Sequence, residues 1–216
     1  MTYILENHHT VANKYLAQLR DVNQQIDRAR FRYNLRRLAM ILGYEISKTL
    51  TFEPVSVETP LGVEQTSLPA DRVVLCSILR AGLPMQEGLL DVFDDADCAF
   101  ASSYRKHHKD GTFEINMPYI TCPDLTDAVL ILADPMLATG SSIDTCLRSF
   151  GDYGSPKAVH VVTAIASQFG VSYIKRHHPD AHLWIGAVDE ELTAKSYIVP
   201  GLGDAGDLAF GPKMQE

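Results

Sequence analysis

From Val73 onward, apolar residues gather into short unbroken runs, and most are followed by a stretch with helical spacing. Val73–Ile78 reads as a buried strand whose sequel, LRAGLP, opens a helix through MQEGLLDVF. Cys98–Arg105 reads as a second strand. A regular alternation follows: strand Ala128–Ala133, helix from about Ser142 to Tyr153, strand Ala158–Ala166, helix from about Gln168 to His177, strand His182–Asp189. Uniformly apolar runs suit strands covered on both faces. Strand–helix–strand repetition predicts an α/β fold with a central, mostly parallel sheet flanked by helices.

The rest of the chain is less regular. Val11–Ser47 reads as helices, proline-free, with Gly43 interrupting the pattern near the end. Thr51–Arg72, with three prolines, reads as a looser stretch. Lys106–Asp127 contains a D-G pair and two prolines, which predicts a flexible hairpin or arm. The tail, YIVPGLGDAGDLAFGPK, is too rich in glycine and proline for a helix or a central strand. No repeat or linker divides the chain. One domain over 1–216 is expected, with a helical segment over about 1–50, an arm over about 104–127 and a terminal segment over about 190–216.

Composition narrows the class. At 46% hydrophobic and 21% charged residues the chain suits a soluble globular enzyme. No apolar run approaches the ~20 residues needed to cross a bilayer. The amino terminus lacks a basic start and an apolar core, so a cytoplasmic location is expected, without membrane contact. Cys76, Cys98, Cys122 and Cys146 form no C-x-x-C pair and read as reduced, mostly buried thiols. A net charge of −8 argues against a general nucleic-acid surface. The exception is RARFRYNLRR, Arg28–Arg37, five arginines with Phe31, Leu35 and Leu38 near helical spacing. It reads as an amphipathic helix with solvated arginines, or else as a docking surface for an acidic ligand, a subunit or RNA. The adjacent pairs His8–His9, His107–His108 and His177–His178 point different ways and make poor chelators, and Trp184 reads as core.

The chemistry gathers at DPMLATGSS. The strand Ala128–Ala133 ends in one carboxylate, Asp134, and then passes through Pro135, Thr139, Gly140, Ser141 and Ser142 into a helix. Hydroxyls beside the free N–H groups of a helix start make an anion cradle. This loop has neither a Walker lysine nor the G-x-G-x-x-G pattern, so a phosphate monoester fits best, with Asp134 facing the hydroxyls of a ribose.

DPMLATGSS resembles the phosphoribosyl-pyrophosphate (PRPP) signature of the type I phosphoribosyltransferases, in the form peculiar to the uracil phosphoribosyltransferases. ILRAGLPM (Ile78–Met85) is similar to that family's pyrophosphate segment, and Tyr197–Gly211 to its uracil-binding hood. The resemblance implies transfer of phosphoribose from PRPP to N1 of uracil, giving UMP and diphosphate, with Mg2+ on the donor. Carried over by motif, Pro135, Met136 and Leu137 with Ala138–Ser142 bind PRPP, Ala138–Ser142 holding the 5'-phosphate. Asp134 takes the ribose hydroxyls, and Arg80 and Arg105 the pyrophosphate. Ile198, Gly203 and Ala205 contact uracil, and Asp204 lies near base and donor through Mg2+ or its waters. Asp134, Arg105 and Asp204 are the implied catalytic residues. The family's cis peptide is expected at Leu79–Arg80. Two departures stand out: Ser141 replaces the usual second glycine, and the arm after Arg105 differs. The resemblance also implies a homodimer or higher homo-oligomer and a GTP effector in some members. The alternative is a UMP/UTP-responsive RNA-binding regulator of pyrimidine genes on the same fold.

Overall fold

The computed structural model describes residues 1–107 and 113–214, for 103–107 and 113–116 by backbone alone. Strand β1 (Thr2–Ile4) leads through a 3-10 turn to helix α1 (Ala12–Arg20) and helix α2 (Arg28–Ser47). Asp27 caps α2 by accepting the Arg30 N–H. Next come β2 (Phe52–Thr59), β3 (Gly62–Pro69), β4 (Val73–Leu79), α3 (Leu83–Leu90), β5 (Asp97–His107) and β6 (Phe113–Thr121). Then follow β7 (Val129–Ala133), β8 (Met136–Leu137), α4 (Ser141–Ser149), β9 (Ala158–Ser167), α5 (Gln168–His177) and β10 (His182–Asp189). The chain ends in β11 (Glu191–Leu192), β12 (Ile198–Val199) and α6 (Ala205–Phe210).

The main sheet runs β1-β10-β9-β7-β4-β5-β6, with β8 added alongside β9. Every pairing in it is parallel except β5 with β6. Because side chains alternate across a strand, neighbouring residues feed opposite cores. Val73, Leu75, Ile131, Val162 and Trp184 face the helices α1, α2 and α3. Val74, Cys76, Leu130, Val161 and Leu183 face α4 and α5. The α/β sheet expected from the alternation is thus present, with helices on both faces.

Three expectations need correction. Gly43 does not interrupt α2; it sits inside the helix, where a Cβ would already lie 3.1 Å from a Leu89 methyl, so its small size serves the packing of α3. The stretch Thr51–Arg72 is not loose: β2 and β3 form a two-stranded antiparallel ribbon. Each strand of such a ribbon has an open edge, where Pro54 and Pro69 need donate nothing. The glycine-rich tail does contain a helix, α6, because Asp204 caps it by accepting the Asp207 N–H at 3.0 Å. The arm expected over 104–127 begins as sheet, β6 returning along β5. Its D-G pair, Asp110–Gly111, lies outside the described residues.

All four cysteines are free, Cys76 and Cys146 buried, Cys98 and Cys122 partly so. The Cys76 thiol is pushed well up by its hydrogen bond with Cys146 and by burial, which leaves it unreactive. Trp184 is core, as expected, and its indole N–H donates to Nδ1 of buried His160 at 2.9 Å. Burial and the stacked His182 push His160 down to about 4.

That shift has a sign. Between pH 6.5 and 4 the unfolded chain takes up a proton at His160 that the folded chain refuses, so stability is lost as pH falls. We expect the unfolding free energy to drop by on the order of 2 kcal/mol from pH 7 to pH 5 through this residue. In His160→Asn, which keeps an acceptor for Trp184, urea unfolding at the two pH values should show that part of the slope removed.

Candidate active site

Parallel pairing puts two strand ends abreast. Ser77 of β4 is level with Ala133 of β7, so the turn after Leu79 and the loop after Ala133 leave the sheet side by side. Gly82 permits their contact, since a Cβ there would lie 2.5 Å from the Ala133 carbonyl oxygen. From β4 the chain passes to β5 on one side and then to β7 on the other. Ligands of open α/β sheets bind at such a switch point. The Leu79–Arg80 peptide is cis, as the resemblance implied.

The loop after β7 is fastened to β9. The Asp134 N–H donates to Val162 O at 3.1 Å, and the Ile165 N–H donates to Pro135 O at 3.0 Å. Met136 and Leu137 then pair as β8 with Ile165 and Ala166. At the end of β9, the Ser167 hydroxyl donates to the Ala138 carbonyl and accepts the Gly170 N–H at 2.8 Å. Asp134 accepts the Met136 N–H at 3.3 Å. Pro135 and Leu137 are buried, whereas Met136, Ala138, Thr139, Ser141 and Ser142 keep partial exposure.

Gly140 begins α4 with φ 86°, and a Cβ there would come 2.8 Å from the Tyr173 ring. Glycine is required twice over, by backbone sign and by space. Ser141 lies in the helix itself, outside the positive-φ residues, so replacing the second glycine costs nothing in conformation. Its hydroxyl is 3.0 Å from Thr139 Oγ1. The hydroxyl-lined helix start expected from sequence is therefore in place, and it can receive an anion. Behind it, Asp144 accepts from Arg148 at 2.9 Å and lies 2.7 Å from His178 Nε2, with Tyr173 Oη at 3.2 Å. Burial pushes the Asp144 carboxyl up, but these partners outweigh it and hold the pKa below the usual value.

The carboxy-terminal segment folds over this edge. Leu192 and Ile198 pair across the β11–β12 turn. Ile198 and Ala205 bury their side chains in the main core, while Gly203, with φ 100°, is exposed. Any recognition by these three residues is therefore by backbone. Asp204 is half inside, its second oxygen 2.9 Å from Lys213 Nζ. Burial raises its pKa, and the Asp207 N–H and Lys213 more than reverse this, leaving a stabilised carboxylate.

Arg80 joins the pyrophosphate-type turn to this hood. Its Nη2 donates to Asp207 Oδ1 at 3.1 Å and to Gly211 O at 3.2 Å. Arg105 lies on β5 beyond Ser102, the residue level with Leu79, and its side chain is outside the described atoms. The arginine-rich segment is the amphipathic helix expected, with Phe31, Leu35 and Leu38 buried and Arg28, Arg30 and Arg37 exposed, but its other two arginines are engaged. Arg32 donates to Ala209 O at the end of α6 at 2.7 Å, and Arg36 grips Asp91 through two bonds.

Several residues of this edge escaped the sequence reading: Ser167, Asp189, Asp207, Lys213 and Arg20. Asp189 carried a readable signal, since it ends an apolar run as Asp134 does, although Glu190 and Glu191 follow it. Ser167, one residue before a helix, is a capping signal.

A mostly parallel sheet bearing this helix-start loop, a neighbouring arginine turn and a terminal hood defines a type I phosphoribosyltransferase. The chain belongs to the uracil phosphoribosyltransferase family, enzymes of pentosyl transfer, whose sequence model matches residues 6–212. It is 48% identical over 207 residues to the uracil phosphoribosyltransferase of Porphyromonas gingivalis, covering 95% of this chain and 96% of that one. It is 43% identical over 203 residues to that of Pyrococcus furiosus, covering 93% and 86%. Among solved structures, the AQ2163 protein of Aquifex aeolicus superposes with a TM-score of 0.87 at 32% identity, covering 98% of both chains.

Proposed function

We propose that this protein transfers the phosphoribosyl group from PRPP to N1 of uracil, yielding UMP and diphosphate, as a pyrimidine-salvage enzyme. The observation that carries the reading is the meeting of all three motifs at one sheet edge, with Arg80 bonded across to Asp207 and Gly211. Nothing among the described residues favours the RNA-binding alternative, and two of the five arginines that motivated it, Arg32 and Arg36, are engaged in internal contacts. A cytoplasmic location accords with four free thiols. Among the described residues, no helix is long and apolar enough to cross a membrane.

In this reading the 5'-phosphate docks on Ala138–Ser142, Asp134 orients the ribose, and Arg80 and Arg105 take the charge that grows on the departing diphosphate. A guanidinium suits that task because it stays charged and offers several donors to phosphate oxygens. The backbone around Ile198, Gly203 and Ala205 reads the uracil edge. The sugar carries oxocarbenium character as diphosphate leaves, so the protein contributes positioning, leaving-group stabilisation and exclusion of water. Mg2+ keeps several waters and takes one or two carboxylates plus substrate phosphates. An ionised Asp204 beside the hood, with no clusters of three or more metal-ligating side chains among the described residues, fits an ion held mainly by PRPP and reached by Asp204. That ion would supply charge neutralisation of the diphosphate.

The homo-oligomer belongs to the same proposal. Every residue of β2 and β3 is exposed, with Phe52, Val55, Val57, Val63 and Leu68 among them. An isolated two-stranded ribbon is marginal in water, so a second copy of the chain is its proposed cover.

Three outcomes test the reading. Purified protein given PRPP, Mg2+ and each nucleobase in turn should form UMP from uracil; formation of no nucleotide at all would sink it. Arg105→Ala should lower turnover by ~10²-fold, as loss of one preorganised donor does, and near-normal kinetics would remove that residue from the assignment. Val55→Lys combined with Val57→Lys, two positions on one face of the ribbon, should shift sedimentation velocity toward the monomer.

A further inference from the structure

Gly201 sits in the middle of the hood, between Ile198 and Gly203, and both polar groups of its backbone are held by one ion pair. Its N–H donates to Asp189 Oδ2 at 2.9 Å, and its carbonyl accepts from Arg20 Nη1 at 2.9 Å. Arg20 and Asp189 are themselves locked by two parallel bonds, Nη1 to Oδ2 at 2.7 Å and Nη2 to Oδ1 at 2.8 Å. The result is a closed set of four charge-assisted contacts across 181 residues of sequence separation. Asp189 is 7% exposed and Arg20 24%, so water competes weakly for them. The turn they hold has little slack. Gly201 has φ 57°, and a Cβ there would meet Ile198 O at 2.2 Å.

The place of Asp189 in the sheet gives the contact its meaning. It is the last residue of β10 and is paired in register with Ser167, the last residue of β9. Ser167 holds the phosphate-type loop through Ala138 O, and Asp189 holds the hood through Gly201. Two adjacent strand ends, at one level of the sheet, therefore fix the two loops that must face each other. We infer that Asp189, with Arg20, is a positioning residue for the acceptor base: the pair sets the hood's backbone, and thus uracil's N1, against the sugar held by the neighbouring loop. This rests on the proposed transferase reading. Neither residue need touch substrate; each acts through the Gly201 peptide.

A residue that only maintained the fold would weaken both substrates together. A positioning residue for the hood should separate them. We expect Asp189→Asn and Arg20→Lys each to raise KM for uracil tenfold or more while KM for PRPP stays within twofold and the thermal midpoint of Arg20→Lys stays near wild type. Amide hydrogen exchange should also become faster over 197–206 in Arg20→Lys and remain unchanged over 134–142. Wild-type UMP formation is measured first, so that a failure of the reaction itself is told apart from a failure of this inference. Equal rises in both KM values, or wild-type kinetics in Arg20→Lys, would overturn it. Should Asp189→Asn not fold, Arg20→Lys and its exchange pattern still decide.

Discussion

The site depends on strands of unequal length lying in parallel register. Ala133 ends β7 level with Val162, yet β9 continues to Ser167. That overhang offers the departing chain a second edge, which Met136 and Leu137 take up without any slip, since Met136 is again level with the third residue beyond Val162, Ile165. Asp134 and Pro135 are thus a break in pairing and not an inserted residue. Proline supplies the break, having no N–H to give the ladder, while its carbonyl still accepts from Ile165. The carboxylate of Asp134 is thereby placed at a fixed point between two paired segments, and the anion-receiving helix start follows after one further turn.

A second consequence concerns charge. The segment after Asp189 has little regular structure, so many of its backbone groups must find partners elsewhere. Arginines supply them: Arg20 to Gly201 O, Arg32 to Ala209 O and Arg80 to Gly211 O. Lys213 adds a pairing with Asp204. In a chain of net charge −8 these cations come from α1, α2, the β4 turn and the terminus, and they meet at one short stretch. Two arginines of the basic run of α2 take part in such contacts, Arg32 with Ala209 O and Arg36 with Asp91, which a one-dimensional charge pattern cannot express; Arg28, Arg30 and Arg37 stay exposed.

Periodicity made the parallel strands and their helices legible, because a strand buried on both faces leaves an unbroken apolar run; β7, α5 and β10 were readable almost to the residue. Legibility failed where local composition and tertiary context disagree. The β2–β3 ribbon carries prolines that only an open-edged pair tolerates, and α6 depends on a single capping carboxylate among glycines. β1 is three residues long, too short to show any period. At the site, Asp134 and the loop after it were legible because their chemistry is local. Asp189 was not singled out, since its work depends on Arg20, which only folding brings near.

On the proposed reading, the base is recognised by main chain, and this constrains selectivity. The side chains of Ile198 and Ala205 are in the core, and Gly203 has none. An amide side chain can turn over to exchange donor for acceptor, but a peptide fixed by the bonds of Gly201 and by the α6 cap cannot. Uracil presents N3–H and a carbonyl at C4; cytosine presents an acceptor and an amino group at the same two points. A backbone set for the first pattern confronts the second with donor against donor and acceptor against acceptor. Unpaired buried polar groups are costly, which is how such a site rejects a near-isosteric base without any charged side chain. Base choice in this architecture is therefore encoded in the turn geometry of the hood, and the residues that govern it are the ones that hold the turn.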